Sequence, residues 1–127
     1  LGIYTNQKII IIACSILITK LNKLIDEVGD ISIKTSDTTI PNSYDITLEN
    51  EDYTIGKLIE YYLYQYYYHG DKSLTFVGFS KTHPHYTYSI IRIALLEQGE
   101  PDEVRRYIVN ACKFGIAAIE SIASHFS

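Results

Sequence analysis

Four groups of side chains in this 127-residue chain have types and spacings that could do chemistry. His83-Pro84-His85 places two imidazoles either side of a proline, as a zinc site can. A zinc site needs three or four protein ligands, and no further ligand lies within reach in sequence. Glu49, Glu51 and Asp52 form an acidic cluster that could hold a metal or exchange protons. The same cluster sits where a helix begins. There Asp52 or Thr54 can accept from the first free amides, and carboxylates favour the positive end of the helix dipole. A helix start accounts for it. Tyr61, Tyr62, Tyr64, Tyr66, Tyr67 and Tyr68 could stack on bases, but single-strand binders interleave such rings with basic residues and none stands between these. Burial with the hydroxyls at a wet rim, or a protein interface, suits them better. Cys14 and Cys112 make neither a CxxC pair nor a zinc pattern. Both fall on apolar helix faces, so reduced, buried thiols in an intracellular protein are expected. No catalytic residue, metal ligand set or cofactor is assigned.

Composition narrows the field further. Hydrophobic residues at 46% and charged residues at 20% are ordinary for a globular domain, and the length suits one domain. A net charge of −4 argues against direct nucleic-acid binding, which needs clustered Lys and Arg. The chain starts at Leu1 and contains no methionine, as a piece of a longer or processed polypeptide would.

The elements that position these groups follow from hydrophobic spacing. Residues 5–28 read as a long helix, with Ile10, Cys14, Leu17, Leu21, Leu24 and Val28 alternating four and three apart. The run Ile9 to Ile18 is apolar nearly all round, so this helix expects neighbours on more than one side. Lys8 and Lys20 bound the run well short of the roughly 18–20 apolar residues a membrane span requires. Ile31 to Lys34 reads as an edge strand. Pro41-Asn42 makes a turn before a strand in which Tyr44, Ile46 and Leu48 alternate with Asp45 and Thr47. A helix follows from about Thr54 to Tyr68, with Ile55, Leu58, Ile59, Tyr62, Leu63 and Tyr66 as its apolar stripe. Leu74 to Phe79 and Tyr86 to Leu96 read as strands. Pro101 opens a last helix whose seam is Val104, Ile108, Ala111, Gly115, Ala118 and Ile122. Tyr107, Val109 and Phe114 lie off that seam, leaving a second apolar side for a partner.

Three motifs in this order resemble the small assembly subunits of multisubunit RNA polymerases. That family comprises the eleventh subunit of eukaryotic RNA polymerase II, the archaeal L subunit and the dimerisation domain of bacterial alpha. The motifs are Pro41-Asn42-Ser43 before a strand, Glu51-Asp52-Tyr53-Thr54-Ile55-Gly56 into a helix, and Gly78-Phe79, His83-Pro84 and Arg92 around the last two strands. The sequence departs from the family pattern at Tyr53 (His there), Lys57 (Asn) and Glu60 (Arg). Family members of the third-subunit type end in a long amphipathic helix that packs on an eleventh-subunit-like partner. Residues 1–30 resemble that helix, and residues 31–127 resemble the dimerisation domain it packs against.

The resemblance and the spacing together imply an α+β fold. A small, mostly antiparallel sheet should carry two helices on one face, in the order strand–helix–strand–strand–helix, after the long leading helix. The implied function is a non-catalytic assembly module of a DNA-directed RNA polymerase. Its partners would be a third-subunit-like domain in the same polypeptide and the large polymerase subunits, with no nucleic acid or membrane bound directly. The expected location is the nucleus for a cellular polymerase, or host cytoplasm and virion for a viral one. The interface residues expected are Leu17, Leu21 and Leu24 on the leading helix, Leu58, Tyr62 and Leu63 on the next, and Ala111, Gly115 and Ile122 on the last. A small-ligand regulatory domain is the alternative, and it would require a polar pocket.

Overall fold

The computed structural model describes residues 3–35, 40–49, 53–80 and 88–126. Helix α1 (Ile3–Asp26) leads through a 3-10 turn (Val28–Asp30) to strand β1 (Ser32–Thr35) and strand β2 (Ser43–Glu49). Helix α2 (Tyr53–Leu63) runs on as a π-turn (Tyr64–Tyr68), followed by β3 (Leu74–Ser80), β4 (Tyr88–Leu95) and α3 (Pro101–Phe126). The four strands form one antiparallel sheet in the order β1-β2-β4-β3. The α+β class and the antiparallel sheet read from the sequence are what the structure has.

Alternation explains the sheet. Ile46 and Leu48 on β2 are buried, as are Ile91, Ile93 and Leu95 on β4. The register sets Ile46 opposite Ile91 and Asp45 opposite Arg92, so apolar pairs share one face and charged pairs the other. Ser89 joins the buried set, and its hydroxyl finds no partner among the described residues. Ile55, Ile59 and Leu63 of α2 complete the core with Val104, Ile108 and Cys112 of α3.

Helix α2 runs antiparallel to α3. Tyr67 meets Tyr107 edge-on at 4.7 Å, Tyr66 stacks on Phe114 at 4.0 Å, and Leu58 lies against Gly115. Helix α1 also runs antiparallel to α3, with Arg105 Nε donating to the Val28 carbonyl at 3.3 Å and Leu21 reaching Gly115. Cys14 and Cys112 are both buried.

Three expectations need correction. The apolar stripe of α2 does not continue through Tyr66, which is 47% exposed; the buried series passes from Leu63 to Tyr67. The cause is the π-turn: His69 N–H donates to the Tyr64 carbonyl and Asp71 N–H to that of Tyr66, so a turn there takes about 4.4 residues and rotates the stripe. The tyrosines are also less buried than expected, since Tyr61, Tyr64, Tyr66 and Tyr68 are all exposed and only Tyr62 and Tyr67 pack partly inward. Finally, the second apolar side of α3 meets α2 within the same chain, through Tyr107 and Phe114.

The seam of α3 shifts for a related reason. Val104, Ile108, Ala111 and Gly115 are buried, but the line then passes to Ile119 while Ile122 is 49% exposed. Beyond Gly115, helix α2 runs out at Tyr53, so the residues on its flank lose cover. Those on the α1 flank, Ile119 and Ala123, keep theirs.

Candidate assembly interface

Gly115 is the point where three helices meet. A Cβ built there would stand 3.4 Å from both Leu21 Cδ1 of α1 and Leu58 Cδ2 of α2. A methyl group would just fit between the two leucines, and a larger side chain would not. Leu21, Leu24, Leu63 and Ala111 are buried around this point, and Leu17, Leu58 and Tyr62 are half-buried. Ile122 stands apart, exposed towards the end of α3. Burial, with Tyr61 and Tyr66 alongside, pushes the Tyr62 phenol above its ordinary value.

The motif residues occupy a different region. Asn42 adopts the left-handed conformation (φ 59°) that Asn tolerates better than most residues, and its carbonyl accepts from the Leu95 N–H at 3.0 Å. Pro41 beside it is exposed. The turn thus ties the start of β2 to the end of β4. Gly56 is buried against the Phe79 ring at the start of α2, and Thr54, two residues earlier, is exposed. Arg92 Nε and Nη2 donate to Asp45 Oδ1 and Oδ2 at 2.7 and 3.1 Å, a bidentate pair on the sheet face away from the helices. The departures at positions 57 and 60 answer each other, since Lys57 Nζ lies 2.7 Å from Glu60 Oε1. Glu51, Asp52, His83, Pro84 and His85 lie outside the described residues.

Sequence reasoning missed the Asp45–Arg92 pair and the Tyr44 hydroxyl, which donates to the Gly99 carbonyl at 2.8 Å. Both were detectable in principle. Asp45 and Arg92 occupy the polar phase of their strands' alternation, and Tyr44 lies in the apolar phase with a hydroxyl to satisfy.

Among the described residues, the best-formed clefts are small. One of about 240 Å³ lies between Leu24, Asp30, Ile31 and Leu48, and one of about 220 Å³ between Phe76, Gly78, Ile90 and Arg92. Drug-sized ligands occupy roughly 300–1,000 Å³. Among the described residues, no three His, Cys, Asp or Glu side chains are grouped to hold a metal ion, and no helix is long and apolar enough to cross a membrane.

No family model matches the chain. A curated relative does: DNA-directed RNA polymerase II subunit RPB11 of Schizosaccharomyces pombe is 31% identical over 90 residues, covering 71% of this chain and 67% of the relative. With that identity and coverage, the chain belongs to the RPB11 family of DNA-directed RNA polymerase subunits.

Proposed function

We propose that the chain is a non-catalytic assembly module of a multisubunit DNA-directed RNA polymerase. In this reading α1, within residues 1–30, ends a third-subunit-like domain, and residues 31–127 form the RPB11-type domain that α1 packs against. The two make an internal pseudo-dimer that seats the large polymerase subunits. The observation that carries the reading is the antiparallel packing of α1 on α3 over Gly115, where a helix upstream of the RPB11-type domain fills that domain's own apolar seam. The layout is similar to the C-terminal part of the fused third–eleventh subunit of African swine fever virus RNA polymerase. A viral protein of that kind would work in host cytoplasm and virions, and a cellular one in the nucleus.

Association rather than a chemical group then carries function. Asp at both Tyr62 and Leu63 buries unpaired charge in the helix layer and should abolish incorporation into the polymerase. His83→Ala with His85→Ala removes the histidine pair that could bind a metal or transfer a proton, and should leave assembly and transcription intact. Co-purification with the large subunits and a transcription assay read the two outcomes. A histidine variant that assembles normally but no longer transcribes overturns the proposal.

A further inference from the structure

Helix α1 is held by contacts that a second copy of the chain would supply equally well. Leu21 and Leu24 are buried, and Leu21 stands beside Leu58 of α2 over Gly115 of α3. The rest of the molecule is tied together without α1. Ile46 pairs with Ile91 across the sheet, Gly56 packs on the Phe79 ring, and Tyr67 meets Tyr107 between α2 and α3. Helix α1 can therefore lift away as a unit while the sheet, α2 and α3 stay folded. The connection to β1 is built to let it. Asp30 N–H donates to the Glu27 carbonyl at 2.9 Å and Ile31 N–H to that of Val28 at 3.3 Å, closing one short turn. Glu27, Gly29 and Asp30 are exposed, and the space where a Gly29 side chain would stand is open, so the turn can straighten without meeting a neighbour. The Arg105 bond to the Val28 carbonyl would break with it.

We propose that the chain exchanges α1 with a second copy of itself, each α1 seated on the other copy's α3 in a reciprocal dimer. Shape names the occupant. The seam has room for a methyl and no more between Gly115 and the two leucines, and the side chain that fits there is Leu21 of α1. An opened chain leaves Leu21, Leu24 and the α3 seam bare to water, which is unfavourable until they are covered again. Reciprocal exchange restores every buried contact of α1 and changes only the turn at Val28–Asp30, the usual low-cost route to a dimer. Within one chain the short connection holds α1 at an effective concentration on the order of millimolar. Exchange thus competes where copies reach that concentration, or where unfolded chains refold together. The inference uses only the packing of α1 and holds whether or not the chain assembles into a polymerase.

The test uses the whole, unsubstituted chain. Equal amounts of isotope-labelled and unlabelled protein are unfolded together, refolded at about millimolar concentration and separated by size-exclusion chromatography. A dimer fraction is expected. Isotope-filtered NOE spectra of the mixed dimer should join the Leu21 methyls of one copy to the Gly115 Hα of the other, a contact between copies that only exchange creates. Deleting Gly29 and Asp30 shortens the connection so that α1 cannot fold back, and should raise the dimer fraction severalfold. Inserting a short Gly/Ser stretch there should lower it. Absence of a dimer from the unsubstituted chain overturns the proposal. So does a dimer whose contacts between copies lie at exposed Ile9, Ile12 and Ile16 instead, because that is a side-by-side pair with each α1 still on its own α3. A dimer fraction that rises with the inserted stretch has the same force.

Discussion

Gly56 and Phe79 share one space: a Cβ at Gly56 would overlap Cε2 of the Phe79 ring. The first turn of α2 therefore lies directly on β3 through a ring, and the glycine is what allows it. Gly56→Ala should destabilise the chain by about 1–3 kcal/mol, because the ring must move out of a packed site. Phe79→Leu should recover part of that loss in the double variant while costing stability alone. Thermal unfolding of the four proteins tests the coupling, and additive effects would show that the ring relocates freely.

Gly115 gives the opposite sign for a small substitution. Its would-be Cβ is in ordinary contact with Leu21 and Leu58 at 3.4 Å, and glycine within a helix costs roughly 0.5–1 kcal/mol relative to alanine. Gly115→Ala should be neutral to stabilising, whereas Gly115→Leu should cost about 1–3 kcal/mol by overfilling the junction. A leucine variant with an unchanged melting temperature would mean that α1 and α2 do not meet at this point in solution.

The outer face of the sheet makes a weaker prediction. The Asp45 and Arg92 side chains are 23% and 40% exposed, so solvent screens their bidentate pair. A double-mutant cycle with Asp45→Asn and Arg92→Gln should give a coupling of about 0.5–1 kcal/mol that shrinks in high salt. A salt-independent coupling would place the pair in a drier setting than the structure shows.

Removing residues 1–28 should uncover the seam of α3 and the edge of α2 at Leu58. The shortened chain is expected to dimerise or aggregate, measured by size-exclusion chromatography with light scattering. A monomeric fragment of undiminished stability would show that α1 adds nothing to the helix layer.

How much of this was legible depends on which neighbour each residue answers to. Ile46, Leu48, Ile91 and Ile93 lie on strands with one covered face, so strict alternation revealed both the strands and the side that is buried. The inner seam of α1 was visible for the same reason, as a repeat with one partner. The π-turn was not, because tyrosines at 61, 62, 64, 66, 67 and 68 fit any helical period equally well. Nor was the exposure of Ile122. Val104 and Ile122 occupy the same face of an ideal helix, and only the point at which α2 begins separates the covered residue from the bare one. Gly56 could be matched to a motif, but the ring it accommodates could not be read from local sequence.

The pairing of α1 with α3 also has a consequence for synthesis. Leu21 emerges from the ribosome long before Gly115, and at about 5–20 residues per second the wait lasts several seconds or more. Throughout that interval the inner seam of α1 has lost the shelter of the exit tunnel and not yet gained that of α3. Nascent chains arrested before Pro101 should bind holdase chaperones. Chains extended so that Phe126 clears the tunnel should release them, and Leu21→Asp should delay that release. The closing helix thus acts as an intramolecular chaperone for the leading one, and sets when the chain can be handed on.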